Sequence, residues 1–404
     1  MPKCTPAPPA TAAAILPTLV AMAQPCRAAP LDGATLSWAW VMPFVGLLVM
    51  IAIAPMLTPR LWRRHYGKIA AGWSLLTVAA IAAKAGIAVA VAAVLQAMLA
   101  DYLSFIVMLF ALYVAAGGIL VTGNLHGSPL GNAGMLFAGM MLASVVGTTG
   151  AAMIVVRPLI RANQHRRHNA HVLMFAIFLV ANIGGAATPL GNPPLFVGYL
   201  RGVDFFWTVG HLMPAACFIA ALVLAVFIVI DLWLYRREDA AATRHDAEAT
   251  MVRIRGWINV PLIAGIIAAM LLCSAWRPAI VITFAGSELA LQDLVRDAIL
   301  IALAIASLRL APVEHRAANG FSWEPIREVA ILFAGIFICI IPVLSMLQAG
   351  RRGIFSGLLA FAANGGAPDD LAYFWLSGLL SAFLDNAPTY LWCSSNSPAA
   401  MPPT

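Results

Sequence analysis

Residues 37–57 read SWAWVMPFVGLLVMIAIAPML, without one charged side chain. A helix of that length crosses about 30 Å of hydrocarbon, where every backbone N–H and C=O must find its partner inside the protein. Comparable apolar segments follow near 69–90, 101–121, 169–200, 211–235, 257–275, 296–310 and 326–349. With 62% hydrophobic and only 10% charged residues, the 404-residue chain has too little polar surface to cover a water-soluble globule. The expected fold is an all-α polytopic membrane protein.

The formal charge of +7 does not point to nucleic acid, because the basic residues stand in short clusters between apolar segments, where cytoplasmic loops collect Lys and Arg. TPRLWRRHYGK (58–68), with Arg60, Arg63, Arg64 and Lys68, is expected to be such a loop. RPLIRANQHRRH (157–168) and the linker 236–255 are the other basic clusters, and counting spans places all three on one side. VDFFWTVGH (203–211) is expected to lie flat at the opposite interface. His65, His165, His168 and His171 belong with the basic loops and are expected to be solvated, while Lys84, Asp101, His126, Asp231 and Asp297 read as interfacial. The six cysteines, at 4, 26, 217, 273, 339 and 393, form no metal or redox spacing. Residues 1–30, with Lys3 ahead of ATAAAILPTLVAMA and a small-residue site at Ala23, read as an export signal or as a short additional N-terminal helix.

Two apolar stretches resist reading as plain spans. LGNAGMLFAGMMLASVVGTTGAAMIVVRPLI (130–160) breaks at 147–150 into pieces short for a crossing, which predicts a re-entrant hairpin open to the cytoplasm. NIGGAATPLGNPP (182–194) places three glycines and three prolines in the middle of a span. Unwound backbone at membrane depth costs several kcal/mol per unpartnered group, by rough estimate, unless it lines a wet cavity or binds something. Half-helix N-termini favour an anionic group, and freed carbonyls with the side-chain oxygens of Asn182, Thr188 and Asn192 suit sodium.

The second half echoes the first. LASVVGTTGAAM (142–153) has a counterpart in LLSAFLDNAPTYL (379–391), and the spans before them also correspond, which predicts inverted repeats, each with a hairpin. Asp385, a carboxylate in a re-entrant apolar segment, reads as an ion site for which proton and sodium compete, or as a cap of the returning half-helix. No GxGD, HExxH or GxSG motif is present, and a lone Asp385 makes no catalytic dyad, so an enzyme is not expected.

VANIGGAATPLGNPPLFVGYLRGVDFFWT, SVVGTTGAAMIVVRPLIRAN and GLLSAFLDNAPTYL together resemble the citrate transporter and sodium/proton antiporter branch of the ion transporter superfamily, whose relatives include divalent-anion/sodium symporters and arsenite permeases. The resemblance runs from about residue 31 to 391. It implies that hairpin tips and broken helices meet at a midplane site. The first repeat then offers Gly147, Thr148, Thr149 and Gly150 with Asn182, Gly184, Thr188, Pro189 and Asn192; the second offers Asp385, Asn386, Ala387, Pro388 and Thr389. Of these, Asn182, Thr188, Asn192, Asp385 and Asn386 are the expected sodium ligands. Where the family frequently has TPLGDPP this chain has TPLGNPP, so Asn192 keeps an oxygen ligand and lacks the titratable proton.

The leading functional expectation is sodium/proton antiport across a bacterial-type inner membrane. Its alternative is sodium- or proton-coupled symport of a carboxylate such as citrate. The expected partners are the bilayer, a small cation or carboxylate, and in one assembly a second copy of the chain; no cofactor is expected beyond transported sodium and protons. The domain reading is a leader or extra segment (1–30), a first repeat (31–235), a basic linker (236–256), a second repeat (257–391) and a polar tail (392–404). Gly184 follows Thr149 by 35 residues, whereas only 17 remain after Ala387, so the second repeat is expected to be incomplete and the tail to mark a frameshift or truncation. An inactive chain is the corresponding third expectation.

Overall fold

The structure is a computed structural model. It describes residues 31–122, 127–200, 203–238, 253–276, 278, 280–284, 287–349 and 352–354, with isolated short stretches between 363 and 378. It is a helical membrane protein. Six described helices are long and apolar enough to cross a membrane, and a bent pair makes a seventh.

The first span, Trp38–Leu57, ends at Thr58, whose backbone leaves the helical region. Helix α1 covers Met42–Leu57 of it, and α2 starts at once with Pro59 and runs to Ala85. The basic stretch 58–68 is therefore not a loop but the first turns of α2. Proline is pre-organised for the first helical position, and Trp62 then docks these turns by donating from its indole Nε1 to Glu328 Oε1 at 3.3 Å. Gly86, at φ +93°, ends α2 in a conformation that favours glycine. Beyond it α3 (Ile87–Gln96), a π-helical turn (Ala97–Tyr102) and α4 (Leu103–Gly117) make one apolar stretch of 31 residues.

A short strand β1 (Leu120–Thr122) precedes the hairpin of α5 (Pro129–Val146) and α6 (Thr148–Asn163). The broken segment comprises α7 (Ala170–Ala176), a π turn (Ile177–Asn182), a 3-10 turn (Ile183–Ala187) and α8 (Pro193–Leu200). Helix α9 then runs for 31 residues, Phe205–Tyr235. The stretch 203–211 is thus no separate interfacial segment. Asp204 accepts from Phe206 N at 2.8 Å and Trp207 N at 3.0 Å, so the helix starts there, and it runs on unbroken.

Strand β2 (Arg253–Arg255) leads into α10 (Asn259–Ala275), a hairpin of β3 (Val281–Phe284) and β4 (Ser287–Ala290), then α11 (Leu291–Leu310) and the short α12 (Val313–Ala318). The expected span 326–349 is bent by 42° between α13 (Glu324–Cys339) and α14 (Ile341–Gln348). Pro342 explains the bend, since it removes a helical N–H and crowds the preceding turn.

The main core gathers on α4, where Phe105, Met108, Ala111 and Leu112 are buried against α5, α6, α10 and α11. A second cluster joins α1 to α13 and α14 through Phe44, Leu47, Ile336, Cys339 and Met346. At one end of the molecule β1 pairs antiparallel with β2, Val121 opposite Ile254. Arg161 donates to the Val121 carbonyl there at 3.2 Å, and the Asn319 amide donates to the carbonyls of Gly117 and Ile119. The Glu238 carboxylate accepts from Arg167 N at 3.0 Å and His168 N at 2.9 Å. The basic cluster 157–168 and the ends of the linker 236–255 thus share one end, as the charge pattern requires.

Candidate ion and substrate site

The hairpin turns on one residue. Gly147 has φ +79° and ψ 155°, a backbone conformation that a side chain would strain, and Thr148 already begins α6. No side chain caps that helix start. The Thr148 N–H reaches the Gly191 carbonyl at 3.4 Å, and Ala151 N bonds Gly147 O at 3.0 Å. Thr149 and Gly150 stand in the first turn, where N–H groups have no intrahelical acceptor.

The broken segment folds over this tip. Ser144 Oγ donates to the Gly184 carbonyl at 2.6 Å, and Thr188 Oγ1 donates to the Ser144 carbonyl. The glycines are needed for contact: a Cβ on Gly184 would lie 2.8 Å from both Ala143 Cβ and the Met140 carbonyl, and one on Gly185 would lie 2.7 Å from Gly191 O. Gly191 N closes a turn onto Thr188 O at 3.1 Å, and Asn192 O receives Phe196 N at 3.2 Å to launch α8. Seen this way, the poor helix-formers of NIGGAATPLGNPP bring unwound backbone against a hairpin tip.

A cavity of about 120 Å³ opens beside the tip, lined by Gly147, Thr148, Thr149, Gly150 and Gly191, with Leu112 and Tyr113 of α4 and Val329 and Phe333 of α13 closing the other side. Tyr113 turns its hydroxyl away, donating to Ser322 O at 2.8 Å. The cavity therefore presents the start of a helix, threonine side chains and an apolar wall. No Asp or Glu is among these lining residues.

A family model described as "Putative citrate transport" matches residues 33–401, nearly the whole chain. The chain belongs to this family. It is thus a multi-pass membrane protein and a secondary transporter of the citrate-transporter kind. No curated protein and no solved structure matches it.

The fold of this citrate-family transporter brings together part of the expected set. Gly147, Thr148, Thr149 and Gly150 line the cavity; Thr188 and Gly184 lock the broken segment to the hairpin, with Pro189 buried between them and Gly191. Asn192 is half-buried next to Gly191, and its backbone serves α8. Asn182 is exposed, and its amide donates back to Ile177 O at 3.0 Å within its own π turn. Asp385, Asn386, Ala387, Pro388 and Thr389, and with them the second hairpin's tip, lie outside the described residues. Sequence reasoning passed over Ser144, whose only signal is a hydroxyl in the apolar run LASVV three residues before the break.

It also misplaced several charges. Asp231 is fully buried at the base of the hairpin, where Oδ1 meets Arg166 Nη2 at 2.5 Å and His171 Nε2 at 2.8 Å while Oδ2 accepts from Asn132 Nδ2 at 3.0 Å. His171 is thus no solvated loop histidine. Asp297, also buried, accepts from Ser104 Oγ at 2.7 Å and pairs with Arg296. A buried carboxylate must be paired and hydrogen-bonded; the partners of Asp231, and Ser104 for Asp297, stand on other elements far away in sequence, while Arg296 adjoins Asp297 on α11.

Proposed function

We propose that this transporter couples the uptake of a citrate-class carboxylate to sodium, with one carboxylate arm of the solute received at the N-terminus of α6. The supporting observation is the first turn of α6, without a side-chain cap, facing a cavity with no Asp or Glu among the described residues that line it. Helix N-termini present N–H groups and positive potential to anions. The hydroxyls of Thr148 and Thr149 and freed backbone carbonyls are oxygen donors of the kind sodium takes, with Thr188, Asn192, Asn182, Asp385 and Asn386 as further candidates. Sodium/proton antiport is the second reading, and Asp385, a titratable carboxylate that the sequence sets in an apolar segment, favours it. We place the protein in a bacterial-type inner membrane with the 157–168 cluster in the cytoplasm, following its basic residues.

The two readings separate in proteoliposomes holding a fixed membrane potential. Radiolabelled citrate should accumulate on an inward sodium gradient and stop when sodium is replaced by choline. Sodium-driven proton movement without any carboxylate, read by an internal pH dye, would establish antiport instead.

A further inference from the structure

Between the tip cavity and the end of the molecule that carries the β1–β2 ribbon lies a short stretch without regular structure, residues 319–323, which joins α12 to α13. Leu109, Leu112 and Tyr113 of α4 face the cavity, and Gly117 lies one turn nearer the ribbon. On α6, Thr149, Met153 and Arg157 recur every four residues, so they share a face that runs from the cavity to the same end. The linker packs into the space between these two helices. A Cβ on Gly117 would lie 2.5 Å from Phe321 Cδ2 and 3.2 Å from Met153 Cε, so both side chains press on the backbone of α4 there. Tyr113 packs on Phe321 with ring centroids 5.1 Å apart, Phe321 meets Trp323 edge-on at 4.9 Å, and Trp323 stacks on Phe110 at 6.1 Å. Hydrogen bonds fasten the linker to α4: Tyr113 Oη donates to Ser322 O at 2.8 Å, and the Asn319 amide donates to Gly117 O at 3.1 Å. Against α6 it makes contact without a hydrogen bond among the described residues. Gly320, at φ +61°, carries the guanidinium of Arg157 on its backbone, where any Cβ would collide with it. Arg157 is exposed, and no carboxylate pairs with it among the described residues.

We propose that residues 319–323 are the gate between the cavity and the basic end, that Phe321 is the side chain that must leave its seat for a solute to pass, and that Arg157 is the cation a carboxylate meets beyond it. This rests on the reading of the cavity as the solute site. Thr149 is exposed while Tyr113, Gly117 and Gly150 are buried, so the cavity is reached from elsewhere and shut on this side. Phe321 is half-buried and its ring is held by packing alone, so it can swing without breaking a hydrogen bond. The bonds of Asn319 and Ser322 meanwhile keep the linker on α4 to either side of it. An exposed guanidinium beside such a passage raises the local concentration of anions at its mouth.

The test uses the full chain carrying Thr149→Cys in proteoliposomes, with membrane-impermeant anionic and neutral thiol reagents as probes and labelling followed residue by residue by mass spectrometry. A separate Arg255→Cys chain marks the face of the basic end. From that face Thr149→Cys should react slowly, and the further change Phe321→Ala should speed the reaction at least about tenfold. Tyr113→Phe keeps the ring but removes the bond to Ser322, and it should speed labelling about fivefold, the weight of one hydrogen bond. Cys273 and Cys339, both buried, should stay unlabelled throughout, which separates an open gate from an unfolded chain; where Phe321→Ala exposes them, Tyr113→Phe decides. Arg157→Gln should slow the anionic reagent several-fold in the opened chain and leave the neutral one unchanged. Equal labelling rates with and without the Phe321 and Tyr113 changes would overturn the gate, and an equal effect of Arg157→Gln on both reagents would overturn the role of Arg157. Protection of Thr149→Cys by citrate or sodium is a separate arm. Its absence would sink the reading of the cavity while the gate stands, whereas protection with labelling indifferent to Phe321 would sink the gate alone.

Discussion

Arg166 and Asp231 meet at 2.5 Å, both buried, and through that contact the base of the hairpin is fastened to the last turns of α9. Asn132 at the start of α5 and Asn163 at the end of α6 bond each other at 2.7 and 2.9 Å, and both reach this pair: Asn132 binds Asp231, and Asn163 Oδ1 accepts from Arg166 Nη1 at 3.1 Å. Asp231→Asn leaves the guanidinium buried without its counter-charge, and that should cost about 3–5 kcal/mol. Urea or thermal unfolding in detergent measures it. Arg166→Met combined with Asp231→Asn should recover part of the loss, as expected when the cost comes from an uncompensated charge.

The Ser144–Gly184 bond makes a different demand. Ser144→Ala should cost about 1–3 kcal/mol, the loss of one bond plus an unsatisfied carbonyl, and raise the half-saturating citrate concentration because the tip loses its alignment. Gly184→Ala should be worse, since its methyl would press on Ala143 and the Met140 carbonyl with no flexible group to yield. Uptake assays on surface-quantified protein give both numbers.

Thr149 is exposed at the cavity, so its substitution tests binding with little effect on folding. Thr149→Val should weaken apparent substrate or sodium affinity by about tenfold, on the order of one charge-assisted hydrogen bond, while the unfolding midpoint stays within error. An unchanged flux curve would remove Thr149 from the site.

The pH dependence of the 157–168 turn follows from Glu238. Burial alone would raise its pKa, but the N–H groups of His168 and Arg167 and the charges of Arg166 and His168 hold the carboxyl below its usual value. A depressed folded pKa means that the anchor is fully present above the unfolded value, near about 4.3, and is lost as pH falls through the lower folded value. Amide exchange at His168 should therefore stay slow, after correction for intrinsic rates, from neutral pH to about 4.3 and quicken below it; Glu238→Gln should show the quick exchange at neutral pH.

Asp385→Asn should leave the protein inserted and abolish coupled transport if the carboxylate carries the exchangeable charge. Retained pH-dependent flux in this variant would reduce Asp385 to a helix cap.

The helix break at Gly147 could be read from the sequence because it is chemical: Gly-Thr-Thr-Gly between apolar arms announces a turn, although the first arm, Pro129–Val146, is long and apolar enough to cross a membrane rather than short for a crossing. The broken segment was legible for the same reason. The 58–68 stretch misled because charge marks a membrane interface, not a loop, and Pro59 with a docked Trp62 lets the helix start inside it. Asp231 and His171 were misjudged because their partners depend on packing among α5, α6 and α9, which no local pattern encodes. Asn182 shows a second limit: its residue type in a break was legible, whereas the bond from its amide to Ile177 O depends on the π turn and was not.

The β1–β2 ribbon joins residues 120–122 to residues 253–255 by three facing pairs. Sliding the two stretches past each other would strip that ladder, whereas a swing about its axis keeps it whole. Whatever stroke the transport cycle makes, the ribbon favours a pivot at this face over a piston.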